Sequence, residues 1–225
     1  MRKDYLLERS VIISTKDRKS TSSKKCPFCP GNESMTNPSM LSLVAKDGML
    51  QRLQDSDDFF VKDWSVRVFE SNNPAVSTSP ENSYSDLPLY SEPAYGYHYI
   101  IVASSKHAET FATLDVEQWG NTLVVIQDRL RWLYTQRGVT YISIFINHGK
   151  NAGAVIDHPH VNMISFSNIP PVIEAEAEAS HRFLNEKGVC PMCQVINTEM
   201  GGPRQVLQTE AVSYTHLTLP TILLV

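Results

Sequence analysis

The most regular hydrophobic pattern in the chain is helical and begins at Val116. Asp115 with Gln118 three residues later resembles an N-terminal capping box, and Gly138 is typical of the residue that follows a helix. Between them, apolar side chains recur at three- and four-residue intervals: Val116, Trp119, Leu123, Ile126, Leu130, Leu133 and Tyr134. This spacing predicts a helix with these residues on one side.

Other segments alternate with a period of two, as half-buried strands do. In "GYHYIIVASSKH" one face would carry Tyr97, Tyr99, Ile101 and Ala103, and the other would carry His98, Ile100 and Val102. "VTYISIFIN" and "HVNMISF" read as two strands joined by "HGKNAGAVID", and a single strand at 66–69 is expected within the polar segment 47–85. With a second helix over 171–187, followed by Gly188, the pattern predicts an α+β fold with an antiparallel sheet and packed helices.

Composition and charge narrow the functional classes. The 225 residues are 42% apolar, and 20 basic against 24 acidic side chains give a formal net charge of −4. No basic block is long enough to indicate a nucleic-acid or membrane partner, so an anionic ligand must be held locally. Charges at Glu8 and Arg9 interrupt the N-terminal apolar residues, which excludes a signal peptide there and makes a cytoplasmic location the expectation.

The last stretch, "VSYTHLTLPTILLV", has no charge and follows neither a helical nor a strand period. Val212 to Thr221 match the translation of a transposase-based sequencing adapter, and the adapter continues to a stop codon after Val225. Residues 212–225 are therefore interpreted as an adapter-derived artefact rather than as a natural apolar strand. On this interpretation the natural protein continues beyond Ala211.

A short repeated motif indicates that the chain contains a repeated unit. "CPFCPGNES" at Cys26 and "CPMCQVINTE" at Cys190 share a C-P-x-C core. The expected organisation is a first unit over residues 1–185 and the start of a second, truncated unit over 186–211.

The first cysteine pair is a candidate metal site. Cys26 and Cys29 in C-x-x-C spacing can reach one ion from a tight turn, and zinc takes thiolate and imidazole ligands tetrahedrally. His107 and His158 each lie where a strand or loop ends, at positions where segments commonly converge. The alternatives are a redox pair, which is expected in a βαβ unit that this region lacks, and a surface role for His107.

A glycine-bearing loop precedes two closely spaced histidines. "NHGKNAGA", Asn147 to Ala154, is suited to bringing backbone N–H groups close to an anionic oxygen. On a strand His158, His160 and Asn162 would share one face. If His158 binds a metal, His160 lies beside the loop, where a neutral imidazole can attack phosphorus. The alternative is a solvent-exposed His-Pro-His strand end.

Together these motifs resemble the galactose-1-phosphate uridylyltransferase family, a branch of the histidine-triad superfamily of nucleotidyl transferases and hydrolases. The resemblance runs through "RKDYLLERSVIIS", "CPFCPGNES", "GYHYIIVASSKH", "NHGKNAGAVIDHPHVN" and "CPMCQVINTEMGGPR", over nearly all of residues 2–210. It implies a histidine-triad-like antiparallel sheet as the first of two tandem units. The implied reaction moves UMP between UDP-hexose and hexose 1-phosphate through a covalent nucleotidyl-histidine.

The resemblance also implies roles for individual residues. The implied ligands of a structural zinc are Cys26, Cys29, His107 and His158. The implied catalytic residues are the nucleophile His160 and its neighbour Asn162. The implied substrate-binding residues are Arg18, Ser71, Asn72, Asn147, Gly149 and Gly153. Cys190 and Cys193 would hold a second metal only in a full-length protein, which is expected to be a homodimer.

Three positions depart from the family pattern: Asn162 replaces Gln, Val155 replaces Ser, and Ser71 replaces Asn. A lost hydrogen bond to a charged group costs about 1.5–3 kcal/mol, so these changes bear on substrate and rate. Two alternatives stay open: an ADP-glucose or other nucleotide-sugar phosphorylase or hydrolase of the same superfamily, and a zinc-stabilised nucleotide-binding module without catalysis. Without its second unit, the 225-residue chain is expected to be inactive or poorly soluble.

Overall fold

A computed structural model describes residues 2–3, 10–12, 25–46, 48–80, 94–203, 207–208 and 213–214. The chain divides into two compact units, Met1–Pro170 and Pro171–Val225. This boundary precedes the one expected at residue 185, because helix 171–187 groups with the second compact unit. The expected repeat boundary itself stays a prediction.

The first unit is built on one antiparallel sheet. A short pair, β1 (Arg2–Lys3) and β2 (Ser10–Val11), precedes it. The strands of the sheet are β3 (Ser39–Lys46), β4 (Met49–Leu53), β5 (Trp64–Glu70), β6 (His98–Val102), β7 (Tyr141–Phe145) and β8 (His160–Phe166). Their spatial order is β4-β3-β5-β6-β8-β7, with every neighbouring pair antiparallel. The predicted α+β class with an antiparallel sheet is confirmed.

The β3–β4 hairpin corrects one prediction. A single strand was expected between residues 47 and 85, but β4 also lies in this segment and pairs with β3 from Ser42↔Leu53 to Lys46↔Met49. Gly48 adopts φ +74°, a left-handed conformation that suits the connection between the two strands.

The long helix α1 (Val116–Tyr134) begins where the sequence predicts. The Asp115 side chain accepts a hydrogen bond from the Gln118 backbone N–H at 2.7 Å. The predicted apolar side is partly wrong, because Val116 is 90% exposed and Leu123 is 55% exposed. The Gln118 side chain instead donates to the Ser65 carbonyl of β5 and to the Ala103 carbonyl just after β6, which turns the face with Thr122, Val125 and Leu133 inward.

The two faces of the sheet have different neighbours. Tyr99 and Ile101 of β6 and Val161 and Met163 of β8 belong to the main hydrophobic core, together with Val125 and Leu133 of α1. The alternate residues of these strands face the other way, where Ile100 and Val102 pack with Phe28 from the cysteine loop. Direct pairing of Val102 with His160 and of Ile100 with Asn162 places both polar residues on this second face.

The second unit contains α2 (Pro171–Lys187), α3 (Pro191–Glu199) and a short pair formed by β9 (Leu207–Gln208) and β10 (Ser213–Tyr214). The predicted second helix is confirmed, and Gly188 follows it with φ +70°. Most of residues 212–225 lies outside the described residues, so the adapter interpretation stays a prediction. Among the described helices, none combines the length and apolar character needed to span a bilayer.

Candidate active site and metal centre

The loop that carries Cys26 and Cys29 is folded as a tight turn and held against the sheet. The Cys29 N–H donates to the Cys26 carbonyl at 3.3 Å, and the Asn32 side chain donates to the same carbonyl at 2.8 Å. The Glu33 carboxylate accepts hydrogen bonds from the Gly31 N–H and from the Trp64 indole N–H. The turn thus presents both sulfur atoms from one fixed segment.

Four ligand atoms converge at this turn. Cys26 Sγ and Cys29 Sγ each lie 3.7 Å from His158 Nδ1, and Cys29 Sγ lies 3.4 Å from His107 Nδ1. The two Nδ1 atoms are 3.3 Å apart, and all four atoms lie within 4.8 Å of one another. Ordinary zinc bond lengths imply tetrahedral edges of about 3.4 Å between nitrogens and about 3.6 Å between sulfur and nitrogen. The cluster can therefore hold a metal ion, and its spacing fits a tetrahedral one.

The second ring nitrogen of His158 is held by the protein backbone. Nε2 lies 2.8 Å from the Ser104 carbonyl, which can only accept, so Nε2 carries the proton and the lone pair of Nδ1 faces the cluster. Burial lowers the pKa of His158, which favours this neutral form. Burial and the neighbouring Cys26 thiol raise the pKa of Cys29 to about 11, so a bound cation would have to displace its proton.

His160 is fixed by an equivalent backbone contact. Its Nδ1 lies 2.7 Å from the carbonyl of His158, so Nδ1–H donates and Nε2 keeps an unshared electron pair. Burial lowers the pKa of His160, and the Phe28 ring packs edge-on at 5.2 Å between ring centroids. A neutral imidazole with one nitrogen anchored and the other unprotonated is suited to nucleophilic attack.

A small cleft lies beside His160. Its wall includes Asn147, His148, Gly149 and Ala154 of the glycine-bearing loop, together with Glu109. The structure thus brings the loop and His160 to one cleft, as the sequence predicts.

The glycine-bearing loop is stabilised by hydrogen bonds between its own residues. Gly149 and Gly153 adopt φ +78° and +83°, and the Asn147 side chain donates to the Ala152 carbonyl at 2.6 Å. The N–H groups of Ala152 and Ala154 are bonded to the Gly149 carbonyl, so these two groups are not available to a ligand in this conformation. A role of the loop in phosphate binding stays a prediction.

Asn162 makes a contact that sequence reasoning missed. Its Oδ1 lies 3.3 Å from Nε2 of His98, a buried histidine on the same face of the sheet. The only available signal was the alternation of "GYHYIIV", which places His98 in phase with Ile100 and Val102 but names no partner.

Of the predicted site residues that the structure describes, Ser71, Asn72, Gly153 and Asn162 are not among those that line this cleft. Both ends of the Asn72 amide are bonded to backbone, namely the Asn37 N–H and the Met35 carbonyl. The Ser71 hydroxyl accepts from the Asn73 N–H, and Arg18 lies outside the described residues. Cys190 and Cys193 are exposed in the second unit. Substrate contacts by Ser71, Asn72 and Arg18 stay predictions.

A family model, galactose-1-phosphate uridyl transferase, N-terminal domain, matches residues 3–170. The chain belongs to this family. The match includes the cysteine turn, both candidate histidine ligands, His160 and the whole six-stranded sheet.

Curated relatives of this uridyl transferase family member include two kinds of enzyme. ADP-glucose phosphorylase from Arabidopsis thaliana is 27% identical over 214 residues, which is 86% of this chain and 56% of the relative. Galactose-1-phosphate uridylyltransferase from Thermotoga maritima is 26% identical over 215 residues, which is 93% of this chain and 59% of the relative. The chain therefore spans somewhat more than half the length of these relatives.

Solved structures of uridylyltransferases share the fold. One matches with a TM-score of 0.72 at 22% identity, covering 92% of this chain and 58% of its own. An ADP-glucose phosphorylase from Arabidopsis thaliana with bound ADP-glucose matches with a TM-score of 0.62 at 22% identity, covering 78% of this chain and 50% of its own. The antiparallel fold expected from the family resemblance is confirmed.

Proposed function

We propose that the full-length protein is a zinc-stabilised nucleotidyltransferase that exchanges UMP between UDP-hexose and hexose 1-phosphate, a reaction of galactose metabolism. The observation that carries this proposal is the state of His160. Its Nδ1–H is bonded to the His158 carbonyl, and the ring borders the cleft formed with the glycine-bearing loop. Only Nε2 is then available as a nucleophile.

In the first half-reaction the lone pair of Nε2 bonds to the α-phosphorus of UDP-hexose. The bond from that phosphorus to the bridging oxygen breaks, and hexose 1-phosphate leaves with the electron pair. A second hexose 1-phosphate then attacks the same phosphorus, and the electron pair of the P–N bond returns to Nε2. Throughout, the proton stays on Nδ1 and is donated in a hydrogen bond to the His158 carbonyl, which stabilises the positive charge that develops on the ring.

The proposed zinc site lies next to the nucleophile along the chain. Zinc, when bound, supplies a fixed coordination point for Cys26, Cys29, His107 and His158. Since the His158 carbonyl is also the acceptor for His160, the fixed position of His158 restricts the His160 ring. The proposed role of the zinc ion is therefore structural.

A second candidate is a phosphorylase that acts on ADP-glucose with inorganic phosphate as acceptor. It is favoured by the similarity to an Arabidopsis ADP-glucose phosphorylase, which is comparable to that of the Thermotoga uridylyltransferase. The proposed first half-reaction is the same in chemistry, so the two candidates differ in nucleotide base and acceptor.

The test measures the covalent intermediate directly. The metal-loaded full-length protein is incubated with UDP-glucose or with ADP-glucose, and the intact mass is measured before and after addition of galactose 1-phosphate or inorganic phosphate. We expect one added UMP that galactose 1-phosphate removes. An AMP adduct that phosphate removes would instead establish the phosphorylase.

The matched variants are His160→Asn, in which we expect no adduct, and His181→Asn, which changes an exposed histidine of α2 and should leave the adduct intact. A normal adduct on His160→Asn would refute the nucleophile. Binding of UDP-glucose without an adduct in the unaltered protein would favour the non-catalytic binding module. A homodimeric state, a cytoplasmic location and the inactivity of the 225-residue chain stay predictions.

A further inference from the structure

His98 is a buried histidine that has no part in the proposed nucleotidyl transfer. It is the first residue of β6 and is only 8% exposed. Its side chain lies on the face of the sheet that carries His160 and Asn162, because His98 pairs with Ile164 two residues beyond Asn162. A buried histidine on this face requires partners for both ring nitrogens.

The partners of His98 determine its tautomer. The backbone N–H of Ala75 lies 3.1 Å from Nδ1, and a backbone N–H can only donate, so Nδ1 accepts. The proton of the neutral ring is then on Nε2, which lies 3.3 Å from Oδ1 of Asn162. Burial lowers the pKa of His98, in agreement with the neutral ring.

The tautomer in turn fixes the orientation of the Asn162 amide. Since Nε2–H donates, the atom facing it must be the amide oxygen and not the amide nitrogen. Among the contacts of the described residues, the NH₂ group of Asn162 has no protein partner, and the side chain is only partly buried. The donor end of the amide is therefore the end left for a ligand.

We infer that His98 is a positioning residue that holds Asn162 with its NH₂ group directed at the phosphate oxygens of the nucleotide sugar. The inference rests on the proposed function, since His160 on the same strand face must be the site of attack. Without His98 the amide can rotate by half a turn and present its oxygen to an anion, which repels it. His98 thus compensates for the side chain of Asn162, which is shorter than the Gln of the family pattern, by fixing which end of the amide meets the substrate.

A purely structural role for His98 predicts something different. The Ser71 N–H donates to the His98 backbone carbonyl, a contact that a substitution leaves in place. The ring accepts from the Ala75 N–H through Nδ1, so the side chain also ties the segment at Ala75 to the sheet. Loss of that tie would weaken the protein or the substrate site whatever residue stands at position 162. The two roles are separated by whether the effect of a His98 change depends on Asn162.

The chain offers a matched pair of substitutions. In His98→Asn the short side chain can still accept from Ala75 but does not reach Asn162, whereas in His98→Gln the longer amide can donate to Asn162. The readout is the single-turnover rate of His160 nucleotidylation in the metal-loaded full-length protein at saturating UDP-glucose, or ADP-glucose if that is the substrate.

We expect His98→Asn to reduce this rate roughly tenfold to hundredfold, as for a lost hydrogen bond to a charged group, and His98→Gln to retain it within about threefold. In an Asn162→Ala background, His98→Asn should change the rate by less than about twofold. An equal loss in both backgrounds would overturn the positioning role.

A second measurement is independent of activity. Long-range ¹H–¹⁵N spectra of the histidine side chains distinguish a protonated Nε2 from a protonated Nδ1, and His98→Gln identifies the His98 signals. We expect Nε2–H, and Nδ1–H would overturn the inference even in an active enzyme. If no nucleotide sugar modifies His160 in the unaltered protein, the proposed function fails, and the spectra still decide whether the His98–Asn162 bond exists.

Discussion

The two C-P-x-C segments have the same local chemistry but different surroundings. Cys26 and Cys29 lie on a turn against the sheet, where His107 and His158 complete a four-residue cluster. Cys190 and Cys193 lie at the start of α3, exposed to solvent, and belong to no such cluster within the residues that the structure describes. A motif of two cysteines becomes a metal centre only where the fold brings further ligands to it.

The largest difference should appear when one cysteine of each segment is replaced. Cys29→Ser removes a proposed zinc ligand, and structural zinc sites have apparent binding energies of about 10–16 kcal/mol, so we expect loss of bound zinc and a much lower Tm. Cys193→Ser in the 225-residue chain should leave the zinc content unchanged. Elemental analysis and thermal unfolding measure both. Equal zinc loss in the two variants would remove the contrast between the segments.

The next largest effect concerns the buried ion pair of Arg67 and Asp55, which contacts the end of the loop that carries Cys26 and Cys29. Arg67 bonds to Asp55 at 2.8 Å and to Thr36, at the end of the cysteine loop, at 2.7 Å, and both charged side chains are almost fully buried. Asp55→Asn leaves the Arg67 charge unpaired, and we expect a loss of about 3–5 kcal/mol in the free energy of unfolding, measured by urea denaturation. A loss below about 1 kcal/mol would contradict this.

The same carboxylate predicts a pH dependence. Burial acts to raise the pKa of Asp55, but hydrogen bonds from the Ser39 N–H and from Arg67 outweigh burial and hold it below its usual value. A folded-state pKa below the unfolded one means that the stabilisation is complete above the unfolded pKa of about 3.9 and is lost as pH falls through the folded pKa. Asp55→Asn should therefore lose less stability than the unaltered protein on acidification below about pH 4.

A smaller effect is expected for the contact that docks the cysteine loop. Glu33 accepts hydrogen bonds from Gly31 and from Trp64, and these bonds hold its pKa below its usual value against the opposing effect of burial. Glu33→Gln keeps the shape but loses the charge, so we expect about 1–3 kcal/mol less stability and faster zinc release to a chelator. Glu178→Gln, at an exposed position of α2, is the control and should change neither.

The smallest expected effect tests the support behind His158. The Ser104 carbonyl orients His158, and the Ser104 hydroxyl donates to Glu109 and accepts from the Lys106 N–H. Ser104→Ala should lower stability by about 0.5–1.5 kcal/mol and weaken zinc binding, since outer contacts tune metal sites. A zinc competition titration measures the second effect. Unchanged affinity would show that the backbone carbonyl alone is sufficient.

Local patterns in the sequence predicted several elements correctly. The helix beginning at Val116, the helix over 171–187 and the strand beginning at His160 all follow from capping residues, helical spacing or alternation. The side of α1 that faces the sheet did not follow from apolar spacing, because polar Gln118 and Thr122 bond to the Ala103 carbonyl just after β6, and Gln118 also bonds to Ser65 of β5. Such contacts depend on partners that are distant in sequence.

The residues of the candidate site were likewise predictable from the sequence only in part. The types of the four ligand residues and of the nucleophile were recognisable from C-x-x-C and His-Pro-His and from the family resemblance. The His98–Asn162 contact joins residues 64 positions apart, and no local period encodes it.

By itself, then, the sequence determined most of the local segments, though not β4, and which chemical groups they carry. Only the tertiary structure decided that Cys29 meets His107 across 78 residues and Cys26 meets His158 across 132, while the second cysteine pair stays apart from any such cluster within the described residues. The physical reason is that strand register and loop docking set these distances. Both arise from long-range packing and hydrogen bonding, which a pattern along one segment cannot specify.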